Sequence, residues 1–381
     1  MEEQSRPRLR FPEFSDDWEE KKTKDIAPLQ RGFDLPTTKV IEGKYPVVYS
    51  NGILRNHNEY KVQAPGVVTG RSGTIGRITY VDKDYWPHNT SLWVTSFYDN
   101  IPKFIYYFYL NFDLGRYNAG STVPTLNRND VHSVKKRIPS IKEQQKIASF
   151  LSEVDKKINL LQQKRSLLED YKKGVMQQIF SQELRFKSKD GGKYPEWEEK
   201  KLGEIGEVVN GLTYSPNDVD ENGVLVLRSS NVQNRVLTFD DNVFVNVQEG
   251  NYNPVEENDI LICVRNGSKR LIGKNAIINK EVQGVAFGAF MAIYRSKYNN
   301  FIFHLFDTDM YKKQVHRNLG ATINSINGSD LKKFKIPFPC QEEQTHIANF
   351  LSTLDEKVQL VSSQIEQTQQ FKKGLLQQMF V

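Results

Sequence analysis

The chain has 381 residues, enough for two or three domains of ordinary size, and is 38% hydrophobic, 26% charged and 11% aromatic. It contains no run of about 18 apolar residues, which argues against a membrane span, and Met1–Arg10 is charged without the apolar core of a secretory leader. Two cysteines, Cys263 and Cys340, are too few for a disulfide framework and suit the cytoplasm, while a net charge of +6 is only a mild lean toward polyanions.

In chain order, a first module opens at Trp18 with Trp-Glu-Glu-Lys-Lys. Short β-rich runs follow at Tyr45–Ser50, Gly66–Thr69, Arg77–Val81 and Ser91–Thr95, set apart by Gly, Pro and Asn. The aromatic run Ile101–Leu110 predicts a helix, and Asn118, Gly120, Thr122, Asn127 and Asp130 form the exit of the module. Pro139–Phe180 then carries apolar residues at Ile147, Leu151, Val154, Ile158, Leu161, Leu168, Val175 and Ile179, the three-four spacing of a coiled coil. Helical over most of its length, it would run roughly 57 Å at 1.5 Å per residue. Lys172-Lys173-Gly174 favours a stop or kink, because lysines suit the negative helix end and glycine a left-handed cap.

The same order is then repeated. Leu184-Arg185-Phe186 echoes Leu9-Arg10-Phe11, and Trp197–Lys201 again reads Trp-Glu-Glu-Lys-Lys. Strands are expected at Val224–Arg228, Asp259–Val264, Asn275–Ile278 and Ala289–Tyr294, and a helix at Asn300–Phe306. The exit returns as Asn318, Gly320, Thr322, Asn327 and Asp330. Pro339–Phe380 matches Pro139–Phe180 at 17 of 42 positions without a gap, including Lys372-Lys373-Gly374. A repeat of this kind predicts pseudo-two-fold symmetry. The expected fold is α+β: two mixed recognition modules, 1–138 and 182–338, separated by two helical spacers, 139–181 and 339–381. Each apolar stripe needs a partner, and the short link Ser181–Glu196 makes the second helix run back along the first as an antiparallel coiled coil. Arg165 where the second copy has Ile365, and Thr368 where the first has Leu168, place polar residues at different steps, which either fixes register or is tolerated at a helix surface.

No catalytic signature is found. There is no Pro-Pro loop of the kind an adenine methyltransferase uses to hold a flipped base. Gly267–Asn275 differs from a phosphate loop by one extra residue between its glycines and by Asn where a hydroxyl is needed. The six histidines are never paired at ligand spacing, so no metal site is expected. The polar loops carry more information. Arg71-Ser72-Gly73 with Arg77 has a counterpart in Arg265-Asn266-Gly267 with Lys274, each directly after a β-rich run. Tyr49-Ser50-Asn51 corresponds to Arg228-Ser229-Ser230-Asn231. Arginine beside small hydroxyl and amide side chains can donate to phosphate or to a guanine edge. Each loop alone also fits an ordinary hairpin or turn; their recurrence at matching places favours function. Lys269 and Arg270, and Thr122, Asn127, Thr322 and Asn327 of the exits, complete the candidate DNA-binding set. Phe150, Leu160, Leu167 and Phe350 lie off the apolar stripes and are candidates for docking a further protein.

These residues resemble the specificity subunit of type I restriction-modification enzymes over essentially the whole chain. The likeness rests on the openings at Trp18 and Trp197, the Gly-x-Ile-Gly turn at Gly73 and its longer form at Gly267, the Gly-x-Thr exits, and above all the Pro-x3-Glu-Gln-x2-Ile-Ala-x-Phe-Leu-Ser helix starts at Pro139 and Pro339. The resemblance implies a non-catalytic reader of double-stranded DNA whose modules each read one half-site while the helices set the gap. It implies two methyltransferase subunits bringing S-adenosylmethionine, and nuclease-translocase subunits bringing ATP and Mg, with no cofactor in this chain. The divergence of the modules between their shared ends predicts an asymmetric target. A stand-alone two-headed DNA binder and a coiled-coil scaffold are the other classes the residues leave open.

Overall fold

The computed structural model describes residues 6–119, 122–319 and 324–381. The chain divides into two compact units, one comprising the residues up to Lys164 with Val361–Val381, the other Arg165–Leu360. Both long helices contribute to each unit.

In the first unit an antiparallel four-stranded sheet runs in the order Leu29–Arg31, Ser91–Val94, Gly66–Gly70, Ile78–Val81. A second sheet joins Gly52–His57 antiparallel to Tyr45–Tyr49, which pairs in parallel with Trp86–Pro87. The central strand Gly66–Gly70 is buried throughout. Its alternation places Val67 in a core with the aromatic helix Pro102–Asn111, and Val68 on the opposite face with Val48, Val81 and Tyr85. Burial on both faces is why this run places a valine on each side, with the buried Thr69 its one polar side chain.

The second unit repeats this plan. Its four-stranded sheet is ordered Glu207–Asn210, Met291–Arg295, Ile260–Cys263, Asn275–Ile277, and its three-stranded sheet Phe244–Val245, Val219–Leu227, Ala286–Phe287. Along Ile260–Cys263 the faces again alternate. Ile260 and Ile262 pack with the helix Asn299–Leu305, while Leu261 and Cys263 pack on the other side. The second unit adds a hairpin, Val232–Gln233 with Val236–Leu237.

The repeated Trp-Glu-Glu-Lys-Lys segments are strands that close each module on its own exit. Glu19–Lys22 pairs antiparallel with Lys135–Ile138, and Glu198–Lys201 with Lys335–Phe338. Equivalent ion pairs cross both ladders, Lys135–Glu20 at 2.8 Å and Lys335–Glu199 at 2.6 Å.

The helices depart from expectation at their glycines. They run Ile141–Phe180 and Gln341–Met379 straight through Gly174 and Gly374. The residues beyond each glycine explain the continuation. In the first unit Leu375, Leu376 and Met379 are buried with Ile147, Leu151, Val154 and Ile158, and Phe380 stacks on Phe104 with ring centroids 5.4 Å apart. In the second unit Val175, Met176 and Ile179 share a core with Ile347, Leu351 and Leu354. That burial outweighs the roughly 1 kcal/mol a helical glycine costs relative to alanine.

Candidate nucleic-acid interface

The strand Tyr45–Tyr49 turns at Ser50-Asn51 into Gly52, whose φ of +106° favours a glycine. The Arg77 guanidinium lies against that glycine, 3.1 Å from where a Cβ would stand. The Arg71 loop is held from two sides. The Arg71 and Ser72 amides both donate to the Thr90 carbonyl, at 2.8 and 3.1 Å, and the Gly73 amide donates to the Pro124 carbonyl at 2.9 Å. The Leu126 amide donates to the Arg71 carbonyl at 2.8 Å, so the exit segment is tied to the loop. Backbone groups thus fix the loop, leaving the Arg71 and Ser72 side chains half-exposed and Arg77 exposed. Tyr49 packs beside His88, ring centroids 4.3 Å apart, and partial burial lowers the His88 pKa below its ordinary value. Tyr49, Ser50, Arg71, Ser72 and Arg77 therefore converge, Asn51 is exposed in the same turn, and Thr122 is exposed two residues before Pro124.

The second unit builds the same corner from different side chains. The Val264 and Arg265 amides donate to the Phe290 carbonyl, at 3.0 and 3.1 Å, and the Asn266 amide donates to the Asn324 carbonyl at 3.2 Å. The Asn266 side chain donates to the Ser229 hydroxyl at 3.1 Å, and Lys274 Nζ donates to the Ser229 carbonyl at 3.1 Å. Partial burial lowers the Lys274 pKa. Lys274 thus lies back over the strand-end loop as Arg77 does in the first unit. Arg228 is paired with Asp241 at 2.9 Å, and Lys269 and Arg270 are exposed on a short turn.

Several expected site residues have other surroundings. Asn231 is fully buried: its amide nitrogen donates to the Thr238 carbonyl at 3.0 Å and its oxygen accepts from the Arg228 amide at 2.9 Å. It shapes the loop and cannot reach a ligand, which corrects its place among the base readers. Asn127 caps the helix Arg128–Ser133 by accepting from the Asn129 amide at 3.0 Å, and Asn327 holds the matching place before Gly328–Leu331 without such a bond. Thr322, with Gly120 and Gly320, lies outside the described residues. Of the docking candidates, Leu160 and Leu167 are exposed. Phe150 meets the edge of Phe11 at 5.7 Å and Phe350 that of Phe186 at 5.6 Å, so both also seat the segment that precedes each Trp-headed strand.

The corner residues Thr90 and Phe290 were not anticipated. Phe290 is exposed, with the Arg265 guanidinium 5.8 Å from its ring centre. Its signal in the sequence is the spacing of 200 that also relates the two exits.

Two modules of one topology, each ending in a long helix and each presenting an Arg-Ser/Asn-Gly turn beside a strand end, define a tandem-repeat class of α+β proteins. The family model for the type I restriction modification DNA specificity domain matches residues 15–170 and again 194–370, and the chain belongs to that family. It is 27% identical, over 68% of its own length and 64% of the relative's, to the type I restriction enzyme MjaVIII specificity subunit of Methanocaldococcus jannaschii. It is 29% identical to the EcoKI specificity subunit of Escherichia coli K12, over 49% of this chain and 42% of that one. These alignments span less than two thirds of either relative. In fold the chain is similar to the type I restriction-modification S subunit of M. genitalium, with a TM-score of 0.65 over 99% of both chains at 15% identity. No helix among the described residues is long and apolar enough to cross a membrane.

Proposed function

We propose that this chain is the DNA specificity subunit of a type I restriction-modification complex and is itself non-catalytic. Modules 1–138 and 182–338 each read one half of a bipartite, asymmetric site in double-stranded DNA, and the helical spacers 139–181 and 339–381 set the unread gap as an antiparallel pair. Methyltransferase subunits dock on the helices, where Leu160 and Leu167 are exposed, and carry S-adenosylmethionine. Nuclease-translocase subunits carry ATP and Mg. The observation that supports this reading most directly is the pair of matched corners. In each, backbone hydrogen bonds hold an Arg-bearing loop while small polar side chains and a second cation gather beside it. Arginine in such a loop suits bidentate contact with guanine or phosphate, and serine and asparagine suit base edges. The different side chains of the two corners suit two different half-sites.

The test is Arg71→Glu combined with Arg265→Glu in the full-length chain. The expected result is loss of DNA binding, with the thermal transition and assembly with methyltransferase subunits kept. DNA binding retained by the double variant would overturn the assignment of these loops.

A further inference from the structure

The hairpin that the second unit adds turns through two residues, Asn234 and Arg235, with φ of +48° and +66°. A two-residue hairpin of this kind favours Asn-Gly, because both positions lie in the left-handed region that strains a residue bearing a Cβ. Asparagine takes the first position as expected. The second holds an arginine where glycine would cost least, so something the side chain does must offset the strain.

What it does is visible in its contacts. Arg235 Nη1 donates to Asn275 Oδ1 at 2.7 Å, Nη2 donates to the Phe303 carbonyl at 2.5 Å, and Nε lies 3.7 Å from Asp307 Oδ2. The guanidinium carbon sits 3.9 Å from the centre of the Phe303 ring, and the side chain is only 21% exposed. Asn275 in turn donates to the Gly273 carbonyl at 2.9 Å and directly follows Lys274. The hairpin begins immediately after the Arg228–Asn231 loop. One guanidinium therefore fastens both halves of the second corner, the Ser229 loop through the hairpin and the Lys274 turn through Asn275, onto the helix Asn299–Leu305. Asp307 continues the chain of charges to Lys172 of the central helix at 3.9 Å, and Lys172 pairs with Asp355 of the C-terminal helix. In the first unit Tyr45–Tyr49 turns straight into Gly52–His57, with no inserted hairpin.

We infer that Arg235 is a positioning residue for sequence discrimination by the second module: it sets the Ser229 and Lys274 loops in the geometry that tells one half-site from others. This rests on the DNA-reading function proposed above. It explains why an arginine is kept at a strained position, and it confines the effect to one module.

The experiment is selection from a randomised duplex library by the full-length chain, its Arg235→Gly and Arg235→Lys variants, and Arg265→Glu as the marker for the half-site of the second module. Arg235→Gly removes the backbone strain together with the contacts, which favours folding. Arg235→Lys keeps a charge near Asp307 but cannot serve Asn275 and Phe303 together. Both should lower discrimination at the marked half-site by about tenfold, the scale of one good base contact, with preferences at the other half-site unchanged. Unchanged preferences at both half-sites, or equal loss at both, would overturn the inference while leaving the DNA-reading function standing. A wild-type chain that enriches no motif would overturn both.

Discussion

Arg10 and Arg185 make matched bidentate pairs with Glu143 and Glu343, whose side chains are 2% and 0% exposed. The tryptophans beside them differ. Trp197 Nε1 donates to Glu343 at 2.8 Å, whereas the buried Trp18 Nε1 has no partner. Trp18→Phe removes a buried donor that has no partner, whereas Trp197→Phe, at a half-buried position, removes a bond to a carboxylate. Loss of that bond should cost Trp197→Phe about 1.5–3 kcal/mol in denaturant titration beyond its lost packing. Glu343→Ala, which leaves Arg185 without its buried partner, should cost about 3–5 kcal/mol. A buried histidine adds a pH dependence. His304 hydrogen-bonds Ser352 at 3.1 Å and faces Asp355 at 3.7 Å, and its pKa is held down at about 3, first by burial and then by Lys172 and Arg235. Between pH 6.5 and about 3 the unfolded chain binds a proton that the folded chain refuses. Stability is thus whole above pH 6.5 and falls with acidification, approaching roughly 1.4 kcal/mol per pH unit from this group. In denaturant titrations from pH 7 to 4, His304→Gln should flatten that slope; an unchanged slope would show that the histidine is not its source. At this scale the matched arginines were legible because the chain carries each corner twice. Asn231 was not, since its burial depends on Thr238 and Asp241, and nothing in spacing shows which asparagine a turn encloses.

Among the elements, strands were legible wherever Val, Ile and aromatic runs were bounded by Gly, Pro or Asn: Gly66–Gly70, Ile78–Val81 and Ser91–Val94 lie within a residue of expectation. The short ladders of Glu19–Lys22 and Glu198–Lys201 were not, because Glu and Lys have low strand propensity and their partner strands follow more than a hundred residues later. The helix ends were misjudged for a related reason. Lys-Lys-Gly is a local stop signal, overridden by tertiary burial of Val175, Ile179, Leu375 and Met379. This makes the glycines a stability reserve. A Cβ on Gly174 would meet nothing within 4 Å, so Gly174→Ala should stabilise the isolated chain by about 1 kcal/mol and raise its melting temperature. Destabilisation would mean that the helix bends there in solution. Leu151→Ala and Leu351→Ala, both at fully buried positions, should each cost about 2–5 kcal/mol.

For the molecule as a whole, the repeat was the clearest thing in the sequence, and the two units carry one sheet order twice. The proposed chemistry of recognition was less legible, because the loop side chains assigned to it differ between the modules. A reader of DNA should bind with an affinity that falls steeply and linearly on a logarithmic salt scale as phosphate contacts release counterions. The central claim, two modules reading two halves of one asymmetric site for an adenine methyltransferase, is tested most directly by mapping N6-methyladenine across the host genome with this gene intact and deleted. The account predicts that deletion removes methylation from one split, non-palindromic motif. An unchanged methylome, or loss of a palindromic motif, would contradict it.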